Sequence, residues 1–207
     1  MAFDNDEQQS EYFKHFYSLH KVKIFSAVIV FLLAFFAYQY FMGASQSKAE
    51  EASQLFQEIL VSKVESIDEI KSKVAVLQSE FNNSPYAARA TIYYSKLLVE
   101  NGDYSAAINE LIWASGDNIE SSIQSMANYL LGNLYLVEGN LEEALKVANK
   151  ILTEGYVGLA NDLKGDIFVA MDDTDNATKS YQLALNYFGG QGEFYKVIEN
   201  KLNSIGQ

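Results

Sequence analysis

The side chains most able to do chemistry fall into small groups, and their spacing argues against each chemistry in turn. Asp172, Asp173 and Asp175 have the composition of a calcium loop. Such a loop needs oxygen ligands at fixed offsets, a glycine at the sixth place and a glutamate at the twelfth. Counted from Asp173, those places hold Thr178 and Ala184. The acids therefore read as caps on a following helix. Glu138, Glu142 and Glu143 could form a carboxylate pair, but they flank a turn, where solvated acids at a helix start are common. Phe188-Gly189-Gly190-Gln191-Gly192 is glycine-rich yet lacks the Lys-Ser/Thr of a phosphate loop. His15 and His20 precede a long apolar run, and residues 44–207 hold no histidine, so no Ser-His-Asp set can be assembled there. The chain has no Cys, which removes disulfides, thiol catalysis, thiolate metal sites and a lipoprotein acylation site. No catalytic residue, cofactor or metal is expected. The enzyme reading that survives is a membrane-bound one using carboxylates alone.

The elements that would carry any site begin with a membrane anchor. Residues 24–43 run without a charge from Ile24 to Gly43. Twenty helical residues rise about 30 Å, the thickness of the hydrocarbon core. Tyr38 and Tyr40 stand near the far end, where aromatic rings prefer the interface. Lys14, Lys21 and Lys23 precede the run and Lys48 follows it alone. That asymmetry predicts a cytoplasmic tail over 1–23 and a domain over 44–207 on the other side. A cleaved signal peptide is the rival, with Gly43-Ala44-Ser45 as small residues for cleavage. The apolar run exceeds the roughly 7–15 residues of a signal core, which favours the anchor.

The chain carries a net charge of −12, and residues 44–207 hold 23 acidic against 12 basic side chains. Such a surface repels phosphates, so no nucleic-acid partner is expected. With 49% apolar residues and a single proline, Pro85, the composition suits long helices. Ala52, Leu55, Phe56, Ile59 and Leu60 recur at helical spacing, as do Ile67, Ile70, Val74, Leu77 and Phe81. Asn82-Asn83-Ser84-Pro85 breaks the pattern.

Three repeats follow. Their turns begin at Gly102, Gly139 and Asp172, spaced 37 and 33 residues apart, near the tetratricopeptide period of about 34. Gly132 and Gly165 stand where a first helix must let its partner approach, and Ser95 stands there in the first repeat. Ala107, Ala144 and Ala177 do the same from the second helices, while Tyr135, Phe168 and Tyr181 fill the space between pairs. A last helix near 193–204, with Phe194, Val197, Ile198 and Leu202, is expected to cap the stack. The predicted fold is all-α: an N-terminal transmembrane helix, then a tetratricopeptide-repeat-like solenoid.

The stretch from Gly155 through Tyr156, Ala160, Asp162, Leu163, Lys164 and Gly165 to Asp166 resembles the YfgM-like family, the ancillary subunits of the bacterial SecYEG translocon. Asp173 and Ala177 in the next turn and the closing Lys201-Leu202-Asn203-Ser204-Ile205 are similar as well. The resemblance implies a bacterial inner-membrane protein with a periplasmic domain. Its implied partners are the SecYEG translocon, a membrane-anchored parvulin-like periplasmic chaperone and exported polypeptides. It implies a scaffold or co-chaperone beside the channel. An envelope assembly or division scaffold with another protein client is the alternative.

In tetratricopeptide stacks the first helix of each pair lines the concave side. The alignment puts Arg89, Ile92 and Lys96 there in the first repeat, Met126, Tyr129, Asn133 and Leu136 in the second, and Leu159, Asp162 and Asp166 in the third. Met126, Tyr129, Leu136 and Leu159 would form an apolar strip suited to varied partners. The competing expectation is that these side chains pack between repeats or against the last helix.

Overall fold

The computed structural model describes residues 4–61 and 66–205, so the outer ends of the predicted tail and domain, 1–3 and 206–207, lie outside the described residues. The chain divides into two units, Met1–Glu50 and Glu51–Gln207. The first belongs to helix α1, Asp4–Val61, which runs without a break from the tail through the apolar run. Lys14–Tyr40 is 27 residues long, and its most apolar 18-residue window has a mean hydropathy of 2.0 and no buried residue. Phe31, Leu33 and Phe36 are each more than 60% exposed. An all-round apolar surface of that length fits a hydrocarbon phase and not water.

The second unit begins within α1. Ala52 and Ile59 are fully buried. The ring of Phe56 lies 5.8 Å from that of Tyr86. Helix α2, Ile67–Glu80, starts from a capping box in which Ser66 and Glu69 satisfy each other's backbone amides. Lys73 Nζ reaches Glu58 at 3.1 Å. The last turns of α1 and the helix α2 thus share a buried cluster and an ion pair ahead of the three predicted repeats.

Those repeats follow as α3, Pro85–Glu100, with α4, Tyr104–Ala114; α5, Ser121–Val137, with α6, Leu141–Ala148; and α7, Val157–Ala170, with α8, Thr174–Phe188. A short 3-10 turn, Glu154–Tyr156, leads into α7. Helix α9, Glu193–Ile205, closes the series. No described residue lies in a strand.

The three turns share one construction. Gly102, Gly139 and Asp172 have φ of 81°, 77° and 60°. The next amide in each returns to a carbonyl five residues back: Asp103 to Leu98, Asn140 to Tyr135 and Asp173 to Phe168, at 2.8–2.9 Å. That bond ends a helix through one left-handed residue, which glycine adopts without steric cost and aspartate tolerates. Asp103 and Asp173 then each accept an amide three residues on, at 3.1 Å. Of the three acids that looked like a calcium loop, Asp172 is therefore the turn residue, Asp173 the helix cap and Asp175 an acid in the first turn of the helix.

Packing runs along the stack as three successive clusters. One extends from α1 to α6 through Ile59, Leu77, Leu98, Leu111 and Leu131. The second joins Ala144 and Ala148 to Leu163 and Ile167. The third joins Tyr181 and Ala184 to Ile198 of α9. Neighbour-to-neighbour burial of this kind is how solenoids are held. A Cβ on Gly132 would come 2.8 Å from Leu163, and one on Gly165 would strike the Tyr181 ring. Both glycines stand at close helix contacts, as the repeat alignment predicts. Where tetratricopeptide repeats place a large residue early in each first helix, this chain has Thr91, Asn128 and Asn161. Each bonds the carbonyl four residues before it, at 2.9–3.0 Å.

Candidate groove along the first helices

The ten residues expected on the concave side sit on α3, α5 and α7, and the structure sorts them into groups. Arg89, Ile92, Lys96 and Met126 come together on one groove of about 590 Å³. Its apolar floor and walls also include Phe56 and Leu60 from α1, Tyr93 from α3, and Ile123 and Leu130 from α5. Tyr156 and Ser122 complete the lining, and each brings a hydroxyl group. Ile92 is 8% exposed and Met126 is 40% exposed. The floor is thus fixed by packing, while the methionine is free to change rotamer around an occupant.

Tyr129 and Leu136 lie outside that groove and pack, partly buried, against the cluster formed by Ala144, Leu163 and Ile167. Burial raises the Tyr129 hydroxyl above the ordinary tyrosine range, and the Asp162 carboxylate adds to the rise. Asn133 spends its amide on the Tyr129 carbonyl, 2.7 Å away. Leu159 is partly buried.

Asp162 and Asp166 hold Lys201 of α9. The ammonium lies 2.9 and 3.0 Å from the two Asp162 oxygens and 2.7 Å from Asp166. Asp166 also accepts the Tyr181 hydroxyl at 2.7 Å. Tyr181 is fully buried, and its hydroxyl is pushed far up, first by that burial and then by the bond to Asp166. Burial works against the charge on Lys201, but the two carboxylates outweigh it and hold the ammonium above the ordinary lysine range. Burial raises Asp162, with Lys201 pulling it back. The acidic end of the row is therefore occupied by the chain's own capping helix.

Sequence reasoning did not bring α1 into the groove, nor Lys201 to the acids. Both had a signal. Phe56 and Leu60 widen the apolar stripe of α1 beyond what one partner helix needs. Ile198, Lys201 and Leu202 fall on one face of α9 at helical spacing.

A row of helical hairpins, preceded by a helix long and apolar enough to cross a membrane, defines a tetratricopeptide-repeat-like protein with a candidate membrane span. The chain belongs to the tetratricopeptide repeat-like domain family, whose model matches residues 14–207. A relative from Neisseria gonorrhoeae, named as an ancillary SecYEG translocon subunit, is 25% identical over 99% of this chain and 100% of its own. Relatives of the same name in Haemophilus influenzae and Escherichia coli are 24% and 20% identical. They cover 99% and 87% of this chain, and 100% and 87% of their own. Among solved structures, MamA from Desulfovibrio magneticus RS-1, beginning at its residue 41, is similar with a TM-score of 0.52 and 15% identity. That likeness covers 77% of this chain and 93% of the other, and it concerns the fold alone.

Proposed function

We propose that this chain is a non-catalytic adaptor in the bacterial inner membrane, working beside the SecYEG translocon on newly exported polypeptides. The observation that carries the reading is the end-to-end correspondence with ancillary translocon subunits, anchor and repeats together, over 99% of this chain and 100% of the Neisseria relative. A shared fold alone would leave the client open. A membrane-anchored parvulin-like chaperone is the further partner, handing clients to or from the repeat groove. Photo-crosslinking from positions in 24–43 and in the repeat domain, followed by mass spectrometry, tests this. Translocon peptides are expected. Their absence at every position, with division or envelope-assembly proteins recovered instead, overturns the reading in favour of that alternative.

Residues 44–207 face the periplasm in this proposal, supported by Lys14, Lys21 and Lys23 on the tail side against Lys48 beyond the span. Protease added outside the inner membrane of spheroplasts is expected to digest the repeat domain and spare the tail. Digestion of the tail, with the domain intact, reverses the orientation.

A further inference from the structure

The groove between the last turns of α1, α3 and α5 has an electrostatic character opposite to that of the domain around it. Residues 44–207 carry nearly twice as many acids as bases. Yet among the described residues the side chains lining the groove include Arg89 and Lys96 and no carboxylate. Both cations have partners outside the groove. Arg89 approaches Glu120 at 3.6 Å and Lys96 approaches Glu100 at 3.7 Å, and all four side chains are more than 40% exposed. Pairs this long and this exposed contribute little and yield to a better-placed anion. Arg89 Nη1 also donates to the Pro85 carbonyl at 3.0 Å, which steadies the side chain and leaves the rest of its fork available.

At the far end of the same row of first helices the complement is already supplied, since Lys201 fills the space between Asp162 and Asp166. At the basic end the two cations lie along one side of α3, with Ile92 between them in sequence. They are seven residues apart on one helix, about 10 Å along its axis at 1.5 Å per residue. That distance is about one turn of a polyproline II chain, three residues at about 3.1 Å each, which brings the first and fourth side chains back to one face.

We propose that this groove receives a segment of a partner polypeptide in which an apolar residue, seated over Ile92 and Met126, lies between two carboxylates about three residues apart. The inference rests on the reading of the chain as a protein-binding adaptor and names the chemistry its groove selects. Apolar burial supplies the attraction, and the paired cations set which segments are accepted. Segments with lysines at those places meet Arg89 and Lys96 and are refused by like-charge repulsion.

The test uses the full chain in lipid nanodiscs and a short fluorescein-labelled peptide with the core Asp-Leu-Phe-Asp. Its twin has Lys in both Asp places. Fluorescence anisotropy is expected to show the aspartate peptide binding at least about tenfold more tightly, with the preference shrinking as salt rises. Arg89→Gln with Lys96→Gln is expected to remove that preference, and Arg89→Glu with Lys96→Glu to reverse it in favour of the lysine twin, with circular dichroism unchanged. Equal binding of the two peptides overturns the proposal, as does tighter binding of the lysine twin. So does a charge-reversed chain that keeps the wild-type preference. Dimerisation abolished by the charge reversal would assign the groove to a second copy, and displacement of the peptide by phosphatidylglycerol vesicles would assign it to lipid. Either result overturns the proposal. Translocon crosslinking of the wild-type chain is read separately, so its loss sinks the adaptor reading and leaves peptide discrimination to be judged by itself.

Discussion

Gly165→Leu is expected to lower the melting temperature of the repeat domain by about 6–12 °C, a loss of about 3 kcal/mol at a few degrees per kcal/mol. A Cβ at this position already runs into the Tyr181 ring. That ring cannot step aside, because Tyr181 is 2% exposed and its hydroxyl is bonded to Asp166 at 2.7 Å. Overpacking between a rigid backbone and a rigid ring separates α7 from α8, which share the most extensive helix contact in the stack. Gly155→Ala is the control. No atom lies within 4 Å of its Cβ position, and its backbone is not left-handed. It is expected to change stability by no more than about 0.5 kcal/mol. Equal melting temperatures for wild type and Gly165→Leu, read by scanning fluorimetry, would sink the assignment of this contact.

Lys201→Met is the second large effect, expected to cost about 2–3 kcal/mol. That is somewhat less than the roughly 3–5 kcal/mol of breaking a fully buried ion pair, because the lysine and Asp166 side chains are each 30% exposed while Asp162 is 11% exposed. The stem of the side chain is kept, so the loss reports the charge. Without the ammonium, two carboxylates remain side by side against α9, one of them buried. The pH dependence carries the signature. Burial raises Asp162 above its ordinary 3.8, and removing Lys201 raises it further. A folded-state pKa above the unfolded one means the native state gains protons first. The defect in Lys201→Met is therefore largest near neutral pH and shrinks as pH falls toward 3.8. In the wild type, Lys201 has a folded pKa above its ordinary 10.5. Its contribution is complete below that value and disappears as pH climbs through the raised one. Hydrogen exchange of Glu193–Ile205 reads both limbs. A variant whose α9 exchanges as slowly as wild type at pH 7 would show that the ion pair does not hold the cap. Loss of the exposed Lys146–Glu143 pair, by contrast, is expected to change little.

These two sites show how differently sequence and structure carry information. The Gly165 contact is legible in the sequence because it is periodic. Glycine, alanine and an aromatic recur at matching places in Leu131-Gly132, Ala144 and Tyr135, and again in Gly165, Ala177 and Phe168. A close helix crossing admits few residue types, so the types themselves mark it. The candidate membrane span is legible for a similar reason, since an uninterrupted apolar run from Ile24 to Gly43 has few physical outcomes. The turns at Gly102, Gly139 and Asp172 are legible through period and backbone preference together.

The groove was only half legible. Helical spacing put Arg89, Ile92, Lys96 and Met126 on one side of their helices, and the structure brings those four together. It did not separate them from Tyr129 and Leu136, which lie on the same side yet pack against the next cluster. Spacing along one helix says which residues share a face. It does not say how far a neighbouring repeat has rolled across that face, because the crossing angle is set by the summed fit of side chains on both helices. Lys201 is the sharper case. Its acids lie 35 and 39 residues earlier. Its place between Ile198 and Leu202 on one face of α9 marks it as near the core, but only the folding back of α9 after Gly189–Gly192 makes it a partner of those two acids. The sequence by itself therefore determined the elements, their repeat and the membrane segment, since each depends on short-range sterics and on the period of apolar side chains. Which concave positions remain open, and which are filled by the chain itself, was decided only by the tertiary structure, because both depend on contacts between residues that periodicity cannot pair.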